Sequence, residues 1–296
     1  MDAPRARGHW AAGGEAGPVG PPRPAVAGAP SRVDIRQIPP LLWIERGGQM
    51  AALALRCIVE LVTPGLSWRR EATVQCANVF WLAIIPVLLI NFLVGFAAAG
   101  VSGGSALEAF GAVDRVGAFV PVALLREGGP IISGAVMAGT IGTTITAELG
   151  ARVIREEIEA LRVMGIDPVR NLVLPRIVAL TLVMLVLNML GLVAGVAGAY
   201  AGAVGLLGGT SGSFIHQALA NTSYVDLWAS EIKTFVFGGM IGIIACHKGL
   251  SVSGGAEGVG RAVNESVVAC LVGVGAVGLL FTTLFLALYP DSLVLR

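Results

Sequence analysis

The chain has 296 residues, of which 55% are hydrophobic and only 13% are charged, and its mean hydropathy is +0.80. A soluble domain carries about 25% charged residues, so the composition excludes an ordinary soluble enzyme, a disordered chain and a collagen-like chain. Lys and Arg number 20 against 19 Asp and Glu, which leaves no broad basic field for a nucleic-acid backbone. The composition favours an integral membrane protein without a nucleic-acid partner.

The N-terminal region contains two different kinds of segment. Residues 1–40 are rich in Pro, Gly, Ala and Arg, and they predict a disordered tail because they hold too little apolar surface to offset chain entropy. In residues 41–62, Glu45, Gln49, Arg56 and Glu60 fall on one face of a helix. We predict an interfacial amphipathic helix over 41–62, although a packed soluble helix has the same pattern.

Five apolar stretches are long enough to cross roughly 30 Å of hydrocarbon. They cover residues 74–100, 126–147, 177–206, 227–246 and 267–289 and leave 291–296 as a C-terminal tail. Glycines recur four residues apart within them, which lets helix backbones approach closely, within one subunit or between two. These pairs are Gly191 and Gly195, Gly198 and Gly202, and Gly238 and Gly242.

The distribution of Lys and Arg predicts the orientation of the five spans. Sixteen of the twenty lie before residue 71, in 148–176 or in 247–266, which are on the same side if there are five crossings. Cytoplasmic segments carry the excess of Lys and Arg. We therefore expect a multi-pass protein of the cytoplasmic (inner) membrane, with its N-terminus in the cytoplasm and its C-terminus outside.

The segment between the second and third spans has an amphipathic helical pattern over residues 152–164, which Gly165 and Pro168 would end. Such a helix can dock a soluble partner or rest on the lipid surface, and its pattern leaves both open. The residues expected at a partner contact are Glu148, Arg152, Arg155, Glu156, Glu157, Glu159, Leu161, Arg162 and Met164.

Four ionisable residues lie within or at the edge of the spans, where a charge is costly unless it faces a cavity or a partner. Arg126 and Glu127 start the second span, and Glu231 and Lys233 lie at a similar level on the fourth. Such a cluster could hold the head group of an amphiphile, with Arg126 suited to phosphate or carboxylate. The alternative is that the side chains anchor the helices by snorkelling to the interface.

A hydrolase-like pattern also occurs. Residues 100–104 fit G-x-S-x-G around Ser102, with His216 or His247 as a conceivable base. The predicted topology places Ser102 and His247 at opposite ends of the spans, and His216 is expected in a loop. An intramembrane serine hydrolase is therefore a remote alternative.

Nucleotide and metal sites have no support in the sequence. Neither Lys233 nor Lys248 follows the glycine pattern of a phosphate-binding loop, so ATP and Mg²⁺ are expected to bind to a partner chain. The four cysteines lack the spacing of a zinc site. We expect no catalytic residue, cofactor or metal in this chain.

Several motifs occur in a fixed order from about residue 41 to 290. They are 147–168 with Pro175 and Arg176, 125–130, 231–233 with Phe237 and Gly238, and 248–250 followed by 258–265. Together they closely resemble the MlaE/YrbE family, the permeases of Mce-type ABC lipid transporters. The last motif is similar to the actinobacterial YrbE branch.

The resemblance implies an all-α permease with an interfacial helix, five spans and a cytoplasmic coupling helix, working as a homodimer or a paralogue heterodimer. It implies that the coupling helix sits in a groove of a cytoplasmic ABC ATPase and that MCE-domain proteins act outside. The cargo would be a phospholipid, sterol or fatty acid.

By position, Arg126 and Glu127 match the family's Arg-Glu pair, and Glu231 and Lys233 match the polar start of the fourth span. Departures at 128–129 and 140–141 fall on the implied lipid path and leave the cargo open. An ATP-independent channel or secondary transporter is the alternative function, but we find no internal inverted repeat to favour it.

Overall fold

The computed structural model of the chain describes residues 39–62, 67–112 and 115–289. The predicted tail 1–40 lies outside the described residues except for residues 39 and 40, which begin the first helix, and the C-terminal tail 291–296 lies outside them too. The chain divides into two compact units, residues 1–45 and 46–296, and the second unit contains all the membrane-spanning helices.

The described residues are almost entirely helical and contain no β-strand. Helix α1 covers Pro39–Val62. Five helical segments long and apolar enough to cross a membrane follow: span 1 (Trp68–Glu108), span 2 (Val116–Ile154), span 3 (Val169–Leu206), span 4 (Tyr224–Leu250) and span 5 (Gly255–Leu288). A short helix, Glu157–Val163, connects spans 2 and 3, and Ser211–Asn221 connects spans 3 and 4. This architecture confirms the predicted all-α membrane fold.

Spans 1 to 3 alternate between α-helix and π-helix. The α-helical parts are Ser67–Val94, Gly103–Glu108, Val116–Pro121, Gly129–Met137, Thr143–Ile154 and Leu174–Tyr200. The π-helical parts are Gly95–Ser102, Val122–Gly128, Ala138–Gly142, Val169–Val173 and Ala201–Leu206. A π-helical turn holds one extra residue and is frequent at functional sites.

The spans extend beyond the apolar stretches that reveal them in the sequence. Span 5 has 34 residues and begins at Gly255, so its first turns carry Glu257, Arg261 and Glu265 ahead of the apolar stretch. At 1.5 Å per residue the helix is roughly 50 Å long, which exceeds the thickness of the hydrocarbon layer. Its charged end therefore extends into the membrane surface or beyond it.

Spans 1 and 3 pack backbone against backbone through glycines. A Cβ atom on Gly95 would lie 2.0 Å from the carbonyl oxygen of Gly195, and one on Gly198 would lie 2.1 Å from the carbonyl oxygen of Phe92. Span 4 approaches span 3 in the same way, since a Cβ atom on Gly238 would lie 2.8 Å from the Thr181 Cα atom. These glycines are used for packing within one chain.

The helix expected over residues 152–164 is interrupted, which corrects the sequence analysis. Span 2 continues to Ile154, and the chain then turns at Arg155 and Glu156 before the short helix starts at Glu157. Glu156 has φ 60° and ψ 14°, in the left-handed region that side chains other than glycine rarely adopt. No glycine or proline marks this turn, so the amphipathic pattern conceals it.

Candidate functional site

Three of the four ionisable residues singled out within the spans form one partly buried cluster, about ten residues from the start of spans 2 and 4. The Lys233 side chain is 3% exposed, and its ammonium lies 3.2 Å from the Glu127 carboxylate. It also donates to the carbonyl oxygen of Arg126 at 2.6 Å and to the Thr282 hydroxyl at 3.0 Å. Thr282 in turn donates to the Glu127 carboxylate, so the cluster ties spans 2, 4 and 5 together.

Arg126 has a partner that the sequence analysis missed. Its guanidinium donates to both carboxylate oxygens of Asp226, at 3.0 and 3.2 Å. Both side chains are largely buried, and paired Arg–carboxylate bonds of this kind combine charge with fixed geometry. Asp226 is the third residue of span 4. In this structure its carboxylate therefore pairs with the Arg126 guanidinium, which was expected to bind the phosphate or carboxylate of a ligand.

Glu231 lies apart from this cluster. Its carboxylate accepts a hydrogen bond from the Asn188 side-chain amide of span 3 at 2.7 Å, and the same amide donates to Ser230 at 3.1 Å. Glu231 and Lys233 are two residues apart on one helix, so their side chains point about 200° apart. The structure brings together Arg126, Glu127 and Lys233, and it places Glu231 against span 3.

The space at the cluster is too small for a lipid. The cavity lined by Arg126, Glu127, Lys233 and Thr282 has a volume of about 20 Å³, which suffices for roughly one water molecule. Glu127 is the member whose side chain is most exposed. The cluster thus holds the helices together on its inner side and presents a carboxylate on its outer side.

The coupling segment, residues 148–168, lies at the end of the bundle that also holds α1. It contains several ion pairs. Glu148 pairs with the buried Arg176 at the start of span 3, with 3.2 Å between nitrogen and oxygen. The Glu157 carboxylate lies 3.1 Å from the Arg155 guanidinium and 3.8 Å from that of Arg152. The Glu159 carboxylate pairs with the Arg162 guanidinium at 2.8 Å. Most of the charged residues expected at a partner contact are therefore already paired with each other.

The apolar residues of the short helix divide into buried and exposed ones. Ile158 packs into the bundle, whereas Val163 is 88% exposed and Met164 is 65% exposed. Leu161, which we expected beside Met164 at a contact, is partly buried. Val163, which the helical wheel did not single out, shares the exposed tip with Met164 and leaves an uncovered apolar surface there.

Helix α1 is fastened to the same segment. Arg56 donates to the Asp167 carboxylate at 2.8 Å, and Glu60 lies 3.8 Å from Arg170. The neighbouring Cys57 is buried, and this burial raises the pKa of its thiol to about 11. Two ion pairs thus join α1 to the region where the connection between spans 2 and 3 enters span 3.

The hydroxyl of Ser102 donates to the carbonyl oxygen of Ala97 at 2.9 Å. A serine nucleophile instead donates its proton to a nearby base. The described geometry at Ser102 is thus that of a hydroxyl bonded back to its own helix, which gives the hydrolase alternative no support.

Comparisons with known proteins agree with this architecture. A family model described as Permease MlaE matches residues 72–284. A probable ABC transporter permease protein of Rickettsia typhi is 30% identical over 184 residues, which cover 62% of this chain and 71% of that protein. Protein TRIGALACTOSYLDIACYLGLYCEROL 1, chloroplastic, of Arabidopsis thaliana is 28% identical over 254 residues, 86% of this chain and 72% of that protein.

A probable ABC transporter permease protein of Synechocystis sp. is 33% identical over 165 residues, which cover 56% of this chain and 63% of that protein. The resemblance found in the sequence motifs is confirmed by the family match, which spans most of the chain. With its five membrane-spanning helices, the chain belongs to the MlaE permease family and is a multi-pass permease of an ABC transporter.

Proposed function

We propose that this permease moves a lipid (phospholipid, sterol or fatty acid) and is driven by a separate cytoplasmic ABC ATPase. ATP and Mg²⁺ bind to the ATPase, and this chain contributes no catalytic residue. The family membership supports a transport role, and the Arabidopsis relative carries the name of a glycolipid, which supports a lipid cargo.

The observation that carries the proposal is the exposed apolar tip of the short helix. Val163 and Met164 are both more than half exposed at the end of a segment whose charges are mostly paired internally. Apolar anchors inside a charged rim are typical of a protein interface. The tip is thus suited to a groove on a soluble ATPase, with the charged residues of the segment at the rim.

The contacts of the coupling segment suggest how ATPase motion reaches the membrane. Displacement of the coupling segment acts on span 3 through Glu148 and Arg176 and on α1 through Asp167 and Arg56. Such displacement biases the permease between two packing arrangements, one with an open lipid cavity and one with a collapsed cavity. The cluster around Lys233 keeps spans 2, 4 and 5 together during this motion.

We further propose that two protomers, identical or paralogous, form the cavity between them and that MCE-domain proteins take the lipid outside. Span 1 and span 5 have large exposed apolar side chains, among them Trp81, Ile85 and Leu279, which suit lipid or a second protomer. The N-terminus and the coupling segment lie on the cytoplasmic side of the inner membrane. In intact cells, an impermeant maleimide is expected to label Phe110→Cys at the opposite end, and not Val163→Cys.

The decisive experiment removes the apolar tip. The full-length chain with Val163→Asp and Met164→Asp is expressed in its native membrane and purified in mild detergent, and its bound proteins and lipids are identified by mass spectrometry. Phe110→Asp is the matched control, because Phe110 is 85% exposed in the turn that follows span 1. We expect at least about tenfold less ABC ATPase with the double variant and no loss with the control.

Two results would contradict the proposal. Equal ATPase recovery from the tip variant and the control would remove the docking surface from the short helix. Isolation of the wild-type chain without an ATPase, under conditions that preserve a known ABC complex, would favour the ATP-independent transporter.

A further inference from the structure

A second polar cavity, of about 330 Å³, lies where span 4 turns into span 5. Its walls are formed by the last turn of span 4, the connecting loop 251–254, the first turns of span 5 and Gln49 of α1. None of these residues belongs to the cluster around Lys233 or to the coupling segment. The cavity is therefore a separate feature of the end of the bundle that carries α1.

The charges that line this cavity are predominantly basic. Lys248 and Arg261 supply two positive charges, His247 is a third nitrogen base, and Glu265 supplies one negative charge. Lys248 and Glu265 are paired at 2.6 Å, whereas the Arg261 side chain is exposed at the rim. The hydroxyls of Ser251 and Ser253 line the same space. Arginine, lysine and hydroxyl groups together are the donors that bind phosphate.

The loop backbone packs closely against the start of span 5. Gly254 and Gly255 have φ +87° and +70°, which turn the chain sharply into the start of span 5. A Cβ atom on Gly258 would lie 1.9 Å from the Ser253 carbonyl oxygen, so the loop lies directly against the first turn of the helix. The N-terminus of a helix carries a partial positive charge, which adds to that of Lys248 and Arg261.

We propose that this cavity binds a phosphate group, supplied by an anionic phospholipid of the adjacent leaflet or by a soluble phosphate compound. The membrane position favours the phospholipid, because α1 and the polar start of span 5 lie at the surface level where lipid phosphates are found. Basic pockets between spans on the cytoplasmic side are suited to anionic head groups. The site is independent of the transported lipid and would hold α1 against the loop between spans 4 and 5.

The test uses the full-length chain in mild detergent and native mass spectrometry with dioleoyl phosphatidylglycerol. Arg261→Gln should weaken binding about fivefold, the factor for one basic side chain at a membrane surface. Glu265→Gln should strengthen binding at least twofold, because it removes the only acidic group among the residues found to line the cavity. Arg70→Gln, an exposed position outside the cavity, is the control and should leave binding unchanged.

Further ligands distinguish the source of the phosphate. Dioleoylglycerol, which lacks phosphate, should not show the dependence on Arg261. Competition by millimolar inorganic phosphate indicates a soluble ligand, and its absence indicates the phospholipid. The proposal is overturned if Arg261→Gln binds phosphatidylglycerol as well as the wild type does, or if Glu265→Gln weakens binding.

Discussion

The ion pair between Arg126 and Asp226 allows a quantitative test of whether the polar groups inside the bundle stabilise the fold or form a ligand-binding site. Asp226→Asn keeps the shape of the side chain but leaves the largely buried Arg126 guanidinium without its counter-charge. Removing one partner of a buried ion pair costs about 3 to 5 kcal/mol. Arg126 retains some exposure, so we take the lower end, about 3 kcal/mol.

The double variant Arg126→Met with Asp226→Leu separates the loss of the pair from the cost of an orphaned charge. Apolar residues of similar volume often replace a buried pair without loss of stability. We therefore expect the double variant to recover most of the stability that Asp226→Asn loses. With the single variants Arg126→Met and Asp226→Leu completing the cycle, the coupling energy between the two positions should be at least about 2 kcal/mol.

The assay is thermal unfolding of the purified chain in detergent, followed by intrinsic fluorescence. For a chain of this size about 3 kcal/mol corresponds to a decrease in Tm of roughly 6 to 12 °C. Lipid recovery from the double variant is measured in parallel. An unchanged Tm for Asp226→Asn, or strictly additive effects in the cycle, would refute the assignment of the pair as a structural tie.

Three further predictions concern other parts of the fold. Gly198→Ala should sharply reduce the yield of folded protein in size-exclusion chromatography, because its Cβ atom would lie 2.1 Å from a backbone oxygen. Gly275→Ala is the control and should not reduce the yield, because Gly275 has open space around it. Equal yields would contradict the packing of spans 1 and 3. Cys57, with its pKa of about 11, should react with maleimide at pH 8 about a hundredfold more slowly than Val163→Cys, because its thiolate fraction is far lower. Comparable rates would be inconsistent with the burial of Cys57. Glu156→Gly should slow hydrogen exchange in 157–163 severalfold, because glycine relieves about 1 kcal/mol of left-handed strain, while faster exchange would argue against that conformation.

The number of spans could be predicted from the sequence, but the partners inside the bundle could not. Hydropathy depends on composition along the chain, so five apolar stretches reveal five crossings whatever their packing. The bond from Arg126 to Asp226 joins residues a hundred positions apart, and an aspartate in the first turn of a helix is readily explained by the helix dipole alone. Nothing local identifies it as the partner of a buried arginine.

The separation of Glu231 from Lys233 in the site could be predicted from helix geometry. Glu231 and Lys233 are two positions apart in the sequence, and helical periodicity alone places them on different faces. Their separation in the structure, with Lys233 beside Glu127 and Glu231 beside Asn188, follows from that spacing. The break at Glu156 could not be predicted, because it depends on a left-handed backbone at a residue type that does not favour this conformation.

The glycine contacts between spans 1 and 3 also constrain how the protein is made. Span 2 is synthesised between these two helices, so span 1 enters the bilayer before the surface that covers Gly95 exists. Lipid tails cannot fill so narrow a groove as a backbone does, and helices associate in the bilayer through close packing. A nascent chain that ends before span 3 therefore lacks the helix that packs against Gly95, and spans 1 and 3 can pair only after Gly195 and Gly198 have been synthesised.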